Sequence, residues 1–210
     1  MIRVENLMHA FGSREISYPD FEVSASQHFW IIGNSGCGKT TLLHLLAGLR
    51  KIQQGSVTVG DQRIQNMKGV DLDKFRGQNI GLIFQKPHLL TSLSVRDNLS
   101  TAQFLASKKR DVGRVNSVLH ELNLSALISS KPNQLSQGEA QRVAIARAVI
   151  NKPKVILADE PTSSLDDENC SKVLDLMIKE ANIYGATLIV VTHDQRVKDQ
   201  IANGIKLEAL

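Results

Sequence analysis

Two stretches of the chain bring together residue types that handle polyphosphate. Gly33, Asn34, Ser35, Gly36, Cys37, Gly38, Lys39, Thr40 and Thr41 follow an apolar run and match G-x-x-x-x-G-K-[ST]. Glycines at this spacing let backbone N–H groups wrap an anion, and a helix starting behind them adds positive potential. Lys39 is expected to pair with β- and γ-phosphate oxygens, and the Thr40 hydroxyl to ligate Mg²⁺. The pattern predicts nucleotide binding without naming the enzyme. Far along the chain, VILADEPTSSLD (Val155–Asp166) begins as a buried strand and ends in Asp159 and Glu160. Adjacent carboxylates there are costly unless a cation or a reaction needs them. Beside a phosphate loop, Asp159 is expected to hold Mg²⁺, and Glu160 to face the γ-phosphate and polarise an attacking water.

Two more polar residues close apolar runs. Gln85 ends IGLIFQ, and His193 follows ATLIVVT. Alone, either reads as a surface or structural residue. In an α/β sheet both converge on the crevice that holds the phosphates. Gln85 would then contact Mg²⁺ or the water, and His193 would donate to the γ-phosphate. Cys37 has two readings, a small side chain turned away from the phosphates or a thiol activated by the helix N-terminus.

Positioning such residues requires a sheet whose strand ends meet. HFWIIG (His28–Gly33), IGLIFQ (Ile80–Gln85), KVILADE (Lys154–Glu160) and ATLIVVT (Ala186–Thr192) are apolar on both faces, as central strands of a covered parallel sheet are. Helical patterns over Lys39–Gly48, Gln137–Ile150 and Asn169–Tyr184 alternate with them, which predicts an α/β fold. Met1–Gln27 and Gly55–Ile64 alternate as β structure and predict a small antiparallel sheet. Residues 87–135 turn helical, with VGRVNSVLHELNL the clearest amphipathic stretch, and read as an inserted helical subdomain. Residues 1–86 and 136–210 supply the rest of one domain spanning 1–210, which GIKLEAL ends as a short tail.

Composition narrows the function classes. The 210 residues are 42% apolar and 22% charged, a globular balance, with a net charge of only +4. SKKR (Ser107–Arg110) is the one basic cluster and reads as a solvated loop, so no nucleic-acid partner is expected. Two cysteines in no metal-ligand spacing fit a reducing compartment. The N-terminus has no apolar signal core, and no run of about 18 apolar residues occurs, so a cytoplasmic chain is expected.

One knuckle remains. LSQGE (Leu135–Glu139) sets a serine and a glycine directly before an apolar-periodic helix, either as a plain N-cap or as an anion site. With LSQGE the whole set resembles the ATPase domain of ABC proteins over nearly the entire chain: phosphate loop, Gln85, helical insert, LSQGE, VILADE, SSLD (Ser163–Asp166) and THD (Thr192–Asp194). The resemblance implies a P-loop NTPase with a RecA-like parallel-sheet core. It implies ATP and Mg²⁺ as ligands and a head-to-tail homodimer. In that dimer Ser136 and the Gly138 backbone contact the γ-phosphate of ATP on the opposite subunit, and Asp166 belongs to a loop coupling the two sites. It also places an aromatic on adenine near the N-terminus. Phe11 falls there, with core packing as the other reading, and Tyr18 fits the spacing less well. LSQGE departs from the commonest form, LSGGQ, at Gln137 and Glu139.

GLIFQKPHLLTSLSVRDNL (Gly81–Leu99) and LADEPTSSLD look like the lipoprotein-releasing (LolD-like) and macrolide-exporter (MacB-like) members, a pattern the cell-division FtsE-like ATPases share. The resemblance implies a transmembrane permease partner, met by HLLTSLSVRDNL, and a place on the cytoplasmic face of the inner membrane. An FtsE-like member that transmits force without transport is the alternative. A nucleic-acid-linked ABC ATPase would need insertions that 210 residues do not hold. A GTPase would need a guanine-reading N-K-x-D motif, and a kinase would leave LSQGE unexplained.

Overall fold

The computed structural model describes residues 1–12, 14–162 and 167–208, without the side chains of 167–169. β1 (Ile2–Phe11), β2 (Arg14–Ser17) and β3 (Phe21–Val23) precede β4 (His28–Gly33), which feeds α1 (Lys39–Leu46). β5 (Gln54–Val59), β6 (Gln62–Arg63), α2 (Gly69–Asn79) and β7 (Ile80–Ile83) follow. Next come α3 (Val95–Leu105), α4 (Val112–Glu121), α5 (Gln137–Val149) and β8 (Val155–Asp159). The chain closes with α6 (Asp167–Tyr184), β9 (Thr187–Thr192), α7 (Val197–Gln200) and β10 (Asn203–Leu207).

These strands form two sheets. An antiparallel sheet runs β2-β1-β5-β6 with β3 also on β1, and β1 alternates buried and exposed residues as a one-sided sheet should. The other sheet is parallel, in the order β10-β4-β9-β8-β7. Every residue of β8 and β9 is buried, because helices cover both faces. One core joins the two sheets through α1, and a second lies under α3 to α6. Among the described residues no helix is long and apolar enough to cross a membrane.

Register decides where the polar strand ends meet. Ile32 pairs with Thr192, and Asp159 with Val191, so the carboxyl ends of β4, β9 and β8 are level. The expected strand IGLIFQ stops at Ile83, leaving Gln85 in the loop beyond it. The segment read as a short tail is mostly β10, which pairs with β4 and lays Leu207 against Gly33. The α2 helix has no buried residue, so it offers no apolar periodicity to read. In the middle segment Ser94 and Asp111 cap α3 and α4 through their side chains, as N-cap residues do.

Candidate active site

The phosphate loop is held from both sides. A Cβ at Gly33 would stand 2.8 Å from the Leu207 carbonyl oxygen and 2.6 Å from Cys37 Sγ, so only glycine fits this close approach. Gly38 has φ +96°, which L side chains avoid, and caps α1. Tyr18, buried beneath the loop, donates its hydroxyl to the Gly38 carbonyl at 3.2 Å. Burial pushes the Tyr18 phenol up to about 12, so it remains a donor at any working pH. That burial also prevents Tyr18 from stacking on a base. The Cys37 side chain is 3% exposed and packs into the core, while its amide donates to the Asn34 carbonyl. Its part in any anion site therefore falls to the backbone, and bulk reagents do not reach the thiol.

The Lys39 amine, on an 8% exposed side chain, donates to the Gly33 and Asn34 carbonyls at 2.8 and 3.0 Å and lies 3.7 Å from Glu160 Oε1. Across the loop, the Thr40 hydroxyl donates to Asp159 Oδ1 at 3.3 Å. Burial pushes the Asp159 carboxyl up, the Thr40 hydrogen bond opposes this, and the neighbouring Glu160 charge adds to it. A second positive charge between Thr40 and Asp159 would relieve that destabilised carboxylate. Two hard oxygen donors in contact suit Mg²⁺.

Glu160 takes an unusual backbone conformation, φ +47°, at a cost of roughly 1–3 kcal/mol. Its amide still donates to the Val191 carbonyl, continuing the sheet, and the turned side chain reaches the loop. Glu160 Oε2 accepts from the Thr192 hydroxyl at 2.9 Å and the His193 amide at 3.3 Å, and lies 2.9 Å from His193 Nδ1. His193 is 61% exposed and open to a ligand. With Nδ1–H donating to a carboxylate, a neutral ring presents Nε2 as an acceptor. Donation to a phosphate then requires the doubly protonated ring or release of Glu160.

The polar link extends one residue further. The Asp194 amide donates to Thr192 Oγ1, and its carboxylate accepts from the Thr162 hydroxyl, the Cys170 thiol and the Arg196 guanidinium. Asp194 therefore pins both flanks of the stretch containing SSLD, which itself lies outside the described residues. The Arg196 guanidinium holds Asp194 well below the ordinary 3.8, at about 2. A depressed carboxyl stabilises the fold above its unfolded pKa and loses that contribution as pH falls toward 2. Arg196 is 38% exposed, so solvent trims the gain to roughly 1–2 kcal/mol. Asp194→Asn is expected to lose that much in urea unfolding at pH 7, with the gap to the parent closing near pH 2. A constant gap across that range contradicts the assignment.

The structure brings Phe11, Ser35, Gly36, Gly38, Lys39, Thr40, Thr41 and Glu160 around one cavity of about 370 Å³, the size of a small-ligand site. Phe11 is 40% exposed at its mouth, which removes the core-packing reading. Arg14 also lines this cavity, a residue the sequence reading passed over. Gln85, Ser136 and Gly138 line a separate groove of about 380 Å³, which includes Pro161, the residue after Glu160. Ser136 and Glu139 form a reciprocal capping box: Glu139 N–H donates to Ser136 Oγ, and Glu139 Oε2 accepts from the Ser136 amide. The amide lowers the Glu139 pKa, with the Ser136 hydroxyl helping. The glutamate that departs from LSGGQ thus has a local structural role.

Residues 16–163 match the family model described as ABC transporter. The lipoprotein-releasing system ATP-binding protein LolD of Idiomarina loihiensis is 41% identical over 184 residues, covering 87% of this chain and 81% of the relative. LolD of Bacteroides fragilis is 38% identical over 198 residues, covering 93% and 92%. Among solved structures, the ATP-binding cassette MJ0796, dimeric in a post-hydrolysis state with ADP and Pi, aligns with a TM-score of 0.86. It is 30% identical, over 100% of this chain and 96% of that one.

Proposed function

Because the chain belongs to the ABC transporter family and is an ATPase, we propose that it dimerises head to tail on ATP and drives a separate membrane permease. One observation carries the dimer. Gly138 sits in the first turn of α5 with an ordinary negative φ, and a Cβ there would meet nothing nearer than Arg142 Nη1 at 3.9 Å. Glycine weakens a helix by roughly 0.5–1 kcal/mol relative to alanine, and this chain gains nothing in return. The missing side chain makes sense where something outside the subunit approaches the helix N-terminus closely, as the γ-phosphate of a partner's ATP would. Ser136 faces the same groove, away from its own phosphate loop.

In each subunit Phe11 stacks the adenine, and the Gly33–Thr41 amides with Lys39 hold the phosphates. Thr40 and Asp159 would hold Mg²⁺, and Gln85, in the loop beyond β7, would contact the cation or the attacking water. The cation supplies neutralisation of phosphate charge. Glu160 accepts a proton from the attacking water, and a doubly protonated His193 would donate Nδ1–H to Glu160 and Nε2–H to the γ-phosphate. The dimer then separates on ADP and phosphate.

Residues 87–135 serve as the helical lobe that meets the permease. A groove of about 540 Å³ between α2, β7, α3 and α5 is lined by Leu82, Phe84, Leu90 and Leu105, with Arg76 and Arg147 at its polar side. Arg147 donates to the Pro87 and His88 carbonyls and so fixes the groove wall. Leu90 and Leu105 are 47% and 65% exposed, which suits the apolar face of a short permease helix. The names of the relatives favour release of lipoproteins from the membrane, with this chain peripheral on its cytoplasmic face. Affinity purification from detergent-solubilised membranes is expected to recover a membrane-spanning protein, and Leu105→Glu to lose it. Equal recovery with Leu105→Glu would overturn the groove as the permease contact.

A further inference from the structure

We propose that Arg14 is a direct ligand of the nucleotide's polyphosphate, delivered by the antiparallel sheet. The inference rests on reading the cavity at the phosphate loop as the ATP site. Phe11 and Arg14 are directly opposed across the β1–β2 hairpin, so their side chains share one face. Two residues further along the ladder, on that same face, His9 opposes Ile16, and both are buried. The buried half of this face rests on the loop: a Cβ at Gly38 would stand 3.1 Å from Ile16 Cδ1. Its outer half, Phe11 and Arg14, opens into the cavity beside Gly36 and Lys39. Hairpin register thus sets a flat aromatic surface and a guanidinium side by side above the phosphate loop.

The present partner of Arg14 is modest. Its Nη2 donates to the Gly36 carbonyl at 3.1 Å, and among the described residues no carboxylate pairs with it. A guanidinium has five N–H donors in a planar fork suited to phosphate oxygens, and charge-assisted bonds are about twice as strong as neutral ones. A polyphosphate running from a base on Phe11 to the Lys39 amine passes this side chain. Arg14 would then exchange a neutral carbonyl for a phosphate oxygen and clamp the nucleotide between the antiparallel sheet and the loop.

Calorimetric titration of the intact chain tests this with ATP, ADP and adenosine at two salt concentrations. Arg14→Gln is expected to weaken ATP and ADP about tenfold, leave adenosine unchanged, and flatten the salt dependence of ATP binding. Arg14→Lys should keep the salt dependence. A purely structural hold on Gly36 would leave the salt slope as it is. An unchanged ATP affinity, an unchanged slope, or an equal loss for adenosine in Arg14→Gln overturns the inference. Lys39→Ala separates the two levels. If it leaves ATP binding intact, the ATP-site reading fails; if it abolishes binding while Arg14→Gln does nothing, only the role of Arg14 fails.

Discussion

Glu160→Gln is expected to lower ATP turnover by roughly 10²–10⁴-fold, the span that removal of a general base produces, and to accumulate an ATP-bound dimer. The substitution is nearly isosteric. The amide oxygen still accepts from the Thr192 hydroxyl and the His193 amide, so the left-handed turn at residue 160 keeps its anchors. What disappears is the charge that accepts a proton and attracts the Lys39 amine 3.7 Å away. Freed of that attraction, Lys39 serves the phosphates more fully, so ATP affinity should hold or rise. Phosphate release measures the first effect and light scattering with saturating ATP the second. A variant that stays monomeric contradicts the dimer, and one that hydrolyses normally removes Glu160 as the base.

Gly138→Ala should separate stability from activity. The methyl group enters open space within the subunit, so helix propensity predicts unchanged or slightly higher stability, by up to about 1 kcal/mol. Between two subunits the same methyl group stands where a phosphate oxygen is expected. A displacement of about 1 Å at a reacting centre costs on the order of 10²-fold in rate, and a comparable loss of turnover is expected here. ATP binding to the monomer should persist, because the phosphate loop is untouched. Full turnover together with normal dimerisation would mean that nothing approaches α5 at this point.

The legible parts of the fold were those where local pattern and burial coincide. β8 and β9 are buried at every position, so their apolar runs marked strands and Asp159 and Thr192 marked their ends. The phosphate loop was legible because its glycines answer to local backbone geometry. β10 was not, since NGIKL has a single buried residue and exists as a strand only by pairing with residues far earlier in the chain. IGLIFQ read as a strand through Gln85, whereas the strand ends at Ile83 and leaves Gln85 in the loop beyond it, lining the groove of Ser136. The link from Thr192 through Asp194 to Thr162 and Cys170 depends on side chains meeting across loops, which no periodicity encodes. Arg14 had a signal: Gly12–Ser13 between alternating runs is a hairpin pattern, and a two-residue connection sets Phe11 opposite Arg14.

The strand order also carries a timetable. β4 ends at Gly33, yet its two sheet neighbours, β9 and β10, begin only at Thr187 and Asn203. Until they arrive, the strand leading into the phosphate loop has neither edge paired, and Gly33 has no Leu207 against it. Translation runs at about 5–20 residues per second, so an apolar strand waits roughly 8–30 s for the first of its partners. The antiparallel sheet needs only residues 2–63 and can form first. Competence to bind nucleotide therefore follows the synthesis of β9 and β10, long after the phosphate loop itself has been made.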